Sequence, residues 1–129
     1  MKKIILDTNF LLIPYQFKVD IFSEIKRVCD FKYRLFIVDQ TIDELKKLAE
    51  TQKGKDKLAA VLAMAMLEQK KVGQIKTKKD KDVDNLILDE SDENTIVATQ
   101  DRILKSRLKK KGAGLIVLKN KTHLALLGA

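Results

Sequence analysis

Residues 2–9, KKIILDTN, contain the first apolar run of the chain and indicate its architecture. The three consecutive aliphatic residues, with no alternation of polar side chains, predict a short strand buried on both faces, as in the centre of a parallel sheet. Asp7 follows at the carboxyl end of this strand. Ligands of open α/β sheets bind at that edge, because the helices that follow the strands direct their N-termini there. The carboxylate of Asp7 is therefore predicted either to hold a cation or to cap the next helix.

The composition is that of one basic globular domain. The chain has 129 residues, of which 45% are hydrophobic and 34% charged. Residues 1–129 are expected to form a single domain whose core needs no disulfide or metal. The 26 Lys and Arg against 18 Asp and Glu give a formal charge of +8. This charge favours an anionic partner, either a nucleic acid or an anionic membrane surface, without choosing between them.

Neither a membrane span nor a cleavable signal peptide is expected. The longest apolar run, residues 58–67, has about half of the roughly 20 residues that cross a bilayer. The apolar segment near the N-terminus is too short for a signal peptide, and Asp7 interrupts it. The single cysteine, Cys29, excludes an internal disulfide and fits a reducing compartment. We expect a cytoplasmic protein that does not associate with membranes.

Strand and helix patterns alternate along the rest of the chain. Apolar runs predict strands at 4–6, 34–38, 95–98 and 115–118, with a weaker one at 72–77. Helical periodicity predicts helices at 8–13, 20–29, 41–50, 55–71, from 83 onward, and from 102 to 111. Pro14 is expected to stop the first helix, and Asp39 to cap the third. Repeated strand-then-helix units predict an α/β fold with a parallel sheet covered on both faces, and residues 120–129 receive no assignment.

The helix at 55–71 carries the strongest amphipathic pattern. Apolar side chains recur at helical spacing at Leu58, Val61, Leu62, Ala65 and Met66. We expect this stripe to be either core or a subunit contact. The sequence therefore permits a homodimer.

Four acidic residues lie at junctions that a parallel sheet brings to one edge: Asp7, Glu44, Asp84 and Asp101. Converging carboxylates repel one another and need a cation unless they are protonated. Because no His or Cys lies nearby in the pattern, the oxygen ligands suit Mg²⁺ or Mn²⁺ rather than zinc. Such a site can hydrolyse a phosphodiester.

Each acid taken alone has a simpler explanation. Asp7 and Asp101 can be helix caps, Glu44 can pair with Lys47, and Asp84 can belong to a solvated acidic face. The joint pattern is more specific than any of its members.

At these residues the chain resembles the PIN-domain ribonuclease family. The matching segments are ILDTN at 5–9, DEL at 43–45, DNLI at 84–87 and IVATQDR at 96–102. The resemblance spans nearly the whole chain and implies a three-layer α/β/α sandwich around a central parallel sheet. It further implies a metal-dependent endoribonuclease whose catalytic, metal-binding residues are Asp7, Glu44, Asp84 and Asp101.

The resemblance also implies supporting residues and partners. Thr99 corresponds to the hydroxyl residue before the last acid, Asn9 would orient Asp7, and Asp82 would be an auxiliary acid. The stretch 99–118 looks closer to the ribosomal-RNA-processing branch than to toxins of toxin–antitoxin pairs, which share the same four acids. Besides RNA, the implied partner is accordingly either a ribosome-assembly factor or an antitoxin.

The last helix is predicted to contact RNA. Ile103, Leu104 and Leu108 are expected to face inward. Its basic residues are expected to contact RNA phosphates, in a salt-sensitive way, at Arg102, Lys105, Arg107, Lys109 and Lys110. The main rival hypothesis is a non-catalytic RNA-binding or assembly module of the same fold. A receiver-type signalling domain is disfavoured, because the paired acids and the phosphoacceptor strand it needs are missing.

Overall fold

The computed structural model describes residues 1–128. Its elements are β1 (Lys2–Leu6), α1 (Thr8–Leu11), α2 (Ile13–Phe17), α3 (Ile21–Val28), β2 (Tyr33–Val38), α4 (Gln40–Thr51), α5 (Gly54–Gln69), β3 (Gly73–Ile75), α6 (Val83–Asp89), β4 (Thr95–Ala98), α7 (Arg102–Lys110), β5 (Gly114–Lys119) and β6 (His123–Leu127). The strands form one sheet in the order β3-β2-β1-β4-β5-β6. In this described range, no helix is both long enough and apolar enough to cross a membrane.

The central strand β1 explains the layered architecture. Ile4 and Leu6 belong to a core between the sheet and helices α1 to α5. Ile5 belongs to a second core, between the opposite face of the sheet and helices α6 and α7. Because both faces are covered, β1 is apolar at every position from Ile4 to Leu6, and all three side chains are fully buried. The predicted α/β/α sandwich around a parallel sheet is confirmed.

The order of the strands places a crevice beside β1. From β1 the chain builds β2 and β3 on one side of the sheet, and then crosses to build β4 and β5 on the other side. Strands β1 and β4 are parallel neighbours, with Leu6 opposite Ala98. Such a reversal of strand order leaves an open crevice at the carboxyl edge, which is where α/β proteins bind ligands. Asp7 and the turn after β4 lie on either side of it.

The tail, which received no assignment from sequence, adds a strand. β6 runs antiparallel to β5, with Lys119 opposite His123. The connecting turn has two central residues with positive φ, Asn120 at 52° and Lys121 at 59°. Turns of this backbone type usually carry Asn-Gly, so a lysine at the second position hid the hairpin from the sequence pattern.

Two local expectations were wrong. Pro14 does not end the helical region, because α2 begins at Ile13 and has its proline in the first turn, where the missing N–H has no partner to lose. Asp39 does not cap α4 through its side chain. Its carboxylate accepts instead from the backbone N–H (2.9 Å) and the hydroxyl (2.6 Å) of Thr77, and so ties down the loop after β3.

Most of the predicted apolar stripe of α5 faces away from the core, and only its last member, Met66, packs against the core. Leu58, Val61 and Leu62 are 50%, 44% and 37% exposed. The expectation that they are core residues was therefore wrong, and the alternative of a subunit contact stays a prediction. Helix α5 instead buries its small residues, which allow its backbone to approach α2 and α4 closely: Ala59, Ala60 and Ala63, with Leu67.

Candidate active site

Asp7 is the buried centre of the site. Its side chain is only 3% exposed. One carboxylate oxygen, Oδ1, accepts from the backbone N–H of Thr8 at 2.8 Å, and Oδ2 accepts from the hydroxyl of Thr99 at 2.7 Å. Burial raises the pKa of Asp7 above its ordinary value, while these two hydrogen bonds lower it. Asp7 thus does cap α1, and it is also fixed in the crevice between β1 and β4.

The turn after β4 brings Asp101 to the same place. The hydroxyl of Thr99 donates to Asp7 and also accepts from the backbone N–H of Asp101 at 3.0 Å. Asp101 Oδ1 accepts from the N–H of Leu104 at 2.9 Å and so caps α7. Its negative charge contributes to the raised pKa of Asp7. One threonine therefore connects two of the four predicted acids.

Asp84 reaches the site from the first turn of α6. Burial, followed by the negative charges of Asp7 and Asp101, raises the pKa of Asp84 to about 6. A cation bound beside these acids would relieve their mutual repulsion.

Glu44 approaches from the opposite wall, on α4. Its Oε1 accepts from the hydroxyl of Thr8, the buried residue next to Asp7. Its charge is a further cause of the raised pKa of Asp7. Sequence reasoning missed Thr8 as a residue of the site, although its position directly after Asp7 at the start of a helix was visible.

The supporting residues have separate positions. Asn9 Oδ1 accepts from the backbone N–H of Gln100 at 3.3 Å and so connects α1 with the turn that carries Asp101. Across residues 1–128, its side chain makes no hydrogen bond to Asp7. Asp82 is the N-cap of α6 and accepts from the backbone N–H of Asn85 at 3.0 Å. Its charge also contributes to the raised pKa of Asp84.

A cavity of about 470 Å³ opens beside the acids. Asp7, Glu44 and Asp84 line one part of it. Asn9, which the sequence predicted as a supporting residue, also lines the cavity. The other lining residues come from α1 and α4 and from the residue that follows each helix, and sequence reasoning assigned none of these to the site: Thr8, Leu12, Lys47, Leu48, Thr51 and Gln52. The signal was present in the sequence, because positions 44, 47, 48, 51 and 52 share one face of a helix.

The acids form an open cluster. Among the described residues, no three His, Cys, Asp or Glu side chains are close enough to make a ready-formed metal cage. Mg²⁺ commonly takes only one or two protein carboxylates and fills its remaining positions with water and substrate phosphate. The oxygen donors and the mutual repulsion of Asp7, Asp84 and Asp101 fit such a hard cation.

Helix α7 directs its basic residues to two sides. Arg102, Lys105 and Lys109 line a groove between α7 and strands β5 and β6. Arg107 instead donates to Asn85 Oδ1 on α6 at 2.9 Å, and Lys110 is exposed. The expectation that Ile103 faces inward was wrong: its side chain is 74% exposed, whereas those of Leu104 and Leu108 are buried.

Comparisons of sequence agree on one family. A model of the PIN like domain matches residues 4–121. Over 132 aligned residues, the chain is 33% identical to ribonuclease VapC4 of Methanocaldococcus jannaschii, covering 99% of this chain and 98% of that protein. It is 29% identical over 116 residues to ribonuclease VapC9 of Archaeoglobus fulgidus, covering 89% of this chain and 82% of that protein.

Comparisons of structure agree on the fold. The PIN domain endonuclease Utp24 superposes with a TM-score of 0.81 at 24% identity, covering 98% of this chain and 92% of that one. A domain of a functionally unknown protein from Methanocaldococcus jannaschii superposes with a TM-score of 0.63 at 18% identity, covering 92% of each chain.

Proposed function

This chain belongs to the PIN-like domain family, and from that premise we propose that it is a divalent-metal-dependent endoribonuclease. The observation that carries the proposal is the buried carboxylate of Asp7, fixed by two hydrogen bonds beside Asp84, whose pKa is raised to about 6. The two archaeal relatives named as ribonucleases support RNA as the substrate. The basic chain, with its formal charge of +8, favours the same polyanion.

The proposed cofactor is Mg²⁺ or Mn²⁺, held by Asp7, Glu44, Asp84 and Asp101. When bound, such an ion supplies an activated water and stabilises the charge that develops on a phosphodiester during hydrolysis. Burial and neighbouring carboxylates raise the pKa of Asp7 and of Asp84, and a cation bound beside them would lower both pKa values.

The remaining polar groups of the site position these acids. The hydroxyl of Thr99 holds Asp7 and, by accepting from the backbone of Asp101, sets the start of α7. The hydroxyl of Thr8 holds Glu44. Because both threonines are buried, they keep the acidic side chains in place while RNA enters and leaves.

The basic residues of α7 are proposed to bind the RNA backbone. Arg102, which directly follows Asp101, begins a row that continues with Lys105 and Lys109. Such phosphate contacts hold the substrate without reading its sequence, and their strength falls as salt rises.

Two biological roles share this chemistry. We favour processing of ribosomal RNA, with a ribosome-assembly factor as partner, because residues 99–118 resemble the ribosomal-RNA-processing branch of the family. The alternative is a toxin that an antitoxin controls, since the four acids are common to both.

The proposed compartment is the cytoplasm, in agreement with a single cysteine, Cys29, that is buried and free. The exposed stripe of α5 supports a homodimer as the proposed assembly.

The test is cleavage of an end-labelled structured RNA by the purified chain with Mg²⁺, Mn²⁺ or EDTA. We expect cutting only with the metals, and its loss in Asp7→Asn, which keeps the shape of the side chain but removes its charge. Asp92→Asn is the matched control, because Asp92 is an exposed acid outside the site. If the wild-type chain and Asp7→Asn bound RNA equally and neither cut any RNA, the rival hypothesis of a non-catalytic RNA-binding module would be favoured instead.

A further inference from the structure

The cavity beside the acids has a second end that the proposed hydrolysis does not use. Along α4, Leu48 lies one turn after Glu44, and Gln52 follows one turn later, at the end of the helix. At the rise of a helix, this places Gln52 about 12 Å from Glu44. A smaller hollow of about 160 Å³ shares Leu12, Leu48 and Gln52 with the cavity and continues to Ala59 on α5. The two spaces together form a groove that leads away from the carboxylates.

The far part of this groove combines apolar walls with free amide groups. Leu12 and Leu48 line both spaces. Gln16, Gln52 and Asp56 line the smaller one. The side chains of the two glutamines are exposed and make no hydrogen bond within residues 1–128. The hydroxyl of Thr51, by contrast, already donates to the carbonyl of Lys47 at 2.7 Å. The groove therefore offers flat apolar contact and two groups that can each donate and accept.

This combination matches a nucleobase, which has apolar faces and an edge of donors and acceptors. We propose that the groove holds the base of the nucleotide that flanks the scissile phosphate, and that Gln52 hydrogen-bonds to the edge of that base. The assignment rests on the proposed function, which fixes the phosphate at Asp7 and Asp84. A base inside a duplex is stacked on both faces and paired along its edge, so only an unpaired, splayed-out nucleotide enters the groove.

The first experiment compares intact and abasic substrates. A short single-stranded RNA with one preferred cleavage position is synthesised with an abasic site on either side of that position, and kcat/KM is measured with Mn²⁺. The wild-type chain is expected to cut the intact RNA about tenfold faster than one of the abasic RNAs. Gln52→Ala is expected to reduce this ratio to about twofold or less. Gln69→Ala, an exposed glutamine at the end of α5, is the matched control and keeps the tenfold ratio.

A ratio near one in the wild-type chain, or a tenfold ratio that survives Gln52→Ala, would overturn the base site. The second experiment measures equilibrium binding of the same RNAs to Asp7→Asn and to the double variant with Gln52→Ala. Weaker binding of the abasic RNA, dependent on Gln52, would support the base site even if the wild-type chain cut nothing. Equal binding of intact and abasic RNA would overturn the base site while leaving the nuclease proposal intact.

Discussion

The hydroxyl of Thr99 lies 2.7 Å from Asp7 Oδ2 and donates a hydrogen bond to it, although the two residues are 92 positions apart in the chain. The same oxygen accepts from the backbone N–H of Asp101 at 3.0 Å. This contact joins the ends of β1 and β4, the two strands on either side of the crevice. A single side chain thus sets the distance between two acids of the site.

Replacement of this hydroxyl tests its role. Thr99→Val keeps the shape of the side chain but leaves a buried carboxylate oxygen without its donor. We expect the free energy of unfolding to fall by about 1–3 kcal/mol at pH 7 and RNA cleavage to fall by about 10- to 100-fold. Urea unfolding and kcat/KM would measure the two effects. Thr99→Ser, which keeps the hydroxyl, is the control, and equal activity of the two variants would contradict the assignment.

The pKa of Asp84 predicts how the stability of the metal-free chain depends on pH. Burial and neighbouring carboxylates raise the pKa of Asp84 in the native state to about 6, against an ordinary value of 3.8. Between these values the native state binds more protons than the unfolded state, so stability falls as pH rises through this range. Asp84→Asn cannot lose a proton. It should therefore stabilise the chain above pH 6 by about 1 kcal/mol, once the partial exposure of Asp84 is taken into account, and have little effect below pH 4.

The measurement is urea unfolding in EDTA from pH 4 to pH 8. Asp89 on the same helix is the control, because the ammonium of Lys81, 2.6 Å away, lowers the pKa of Asp89 instead. Asp89→Asn should thus act in the opposite direction and slightly reduce stability at neutral pH. Destabilisation by Asp84→Asn at pH 8 would show that repulsion does not govern the site.

Much of this arrangement was predictable from sequence because it depends on local patterns. The uninterrupted run from Ile4 to Leu6 identified the central strand. Asp7 and Asp101 follow strands directly, so their meeting follows from a parallel sheet alone. The α4 wall of the groove could be seen as one helix face, but the groove itself was not predictable. It depends on how α1 packs across from α4, and the distance between these helices is set by side chains distant in sequence.

The errors have equally specific causes. Apolar residues at helical spacing do not show which face of a helix packs against the core. In α5 the packed face is the one that carries the alanines, because small side chains allow neighbouring helices to approach closely. Ile103 lies about 100° around α7 from Leu104, outside the face that Leu104 and Leu108 bury, and so remains exposed. The carboxylate of Asp39 accepts hydrogen bonds from Thr77 and none from the first turn of α4, and no local sequence pattern reveals this contact.

The outer edge of β6 predicts a local effect on hydrogen exchange. Glu24 Oε1 accepts from the backbone N–H of Leu124 at 3.0 Å, and the guanidinium of Arg27 donates to the backbone carbonyl of Leu124, also at 3.0 Å. The Arg27 guanidinium, followed by this N–H, lowers the pKa of Glu24 to about 2. Since the carboxylate stays ionised above pH 4.5, its stabilising effect is complete there and is lost as pH falls toward 2.

Glu24→Gln should therefore speed exchange of the Leu124 amide at neutral pH while lowering overall stability by less than about 1 kcal/mol. NMR-detected exchange would measure it, with the amide of Val117 in the interior strand β5 as the reference. Unchanged exchange at Leu124 would mean that the Glu24–Arg27 pair does not protect the edge.

The exposed face of α5 predicts self-association. Leu58, Val61 and Leu62 present adjoining apolar side chains on one helix, and burial of such a patch against a second copy removes it from water. We expect sedimentation velocity to detect a dimer whose population rises with concentration, and Leu62→Lys to shift the chain to monomer without changing its fold. Ile103→Lys is the control, because Ile103 is at least as exposed but lies on α7. A wild-type chain that stays monomeric at every concentration, or a dimer that Ile103→Lys disrupts and Leu62→Lys does not, would exclude α5 as the interface.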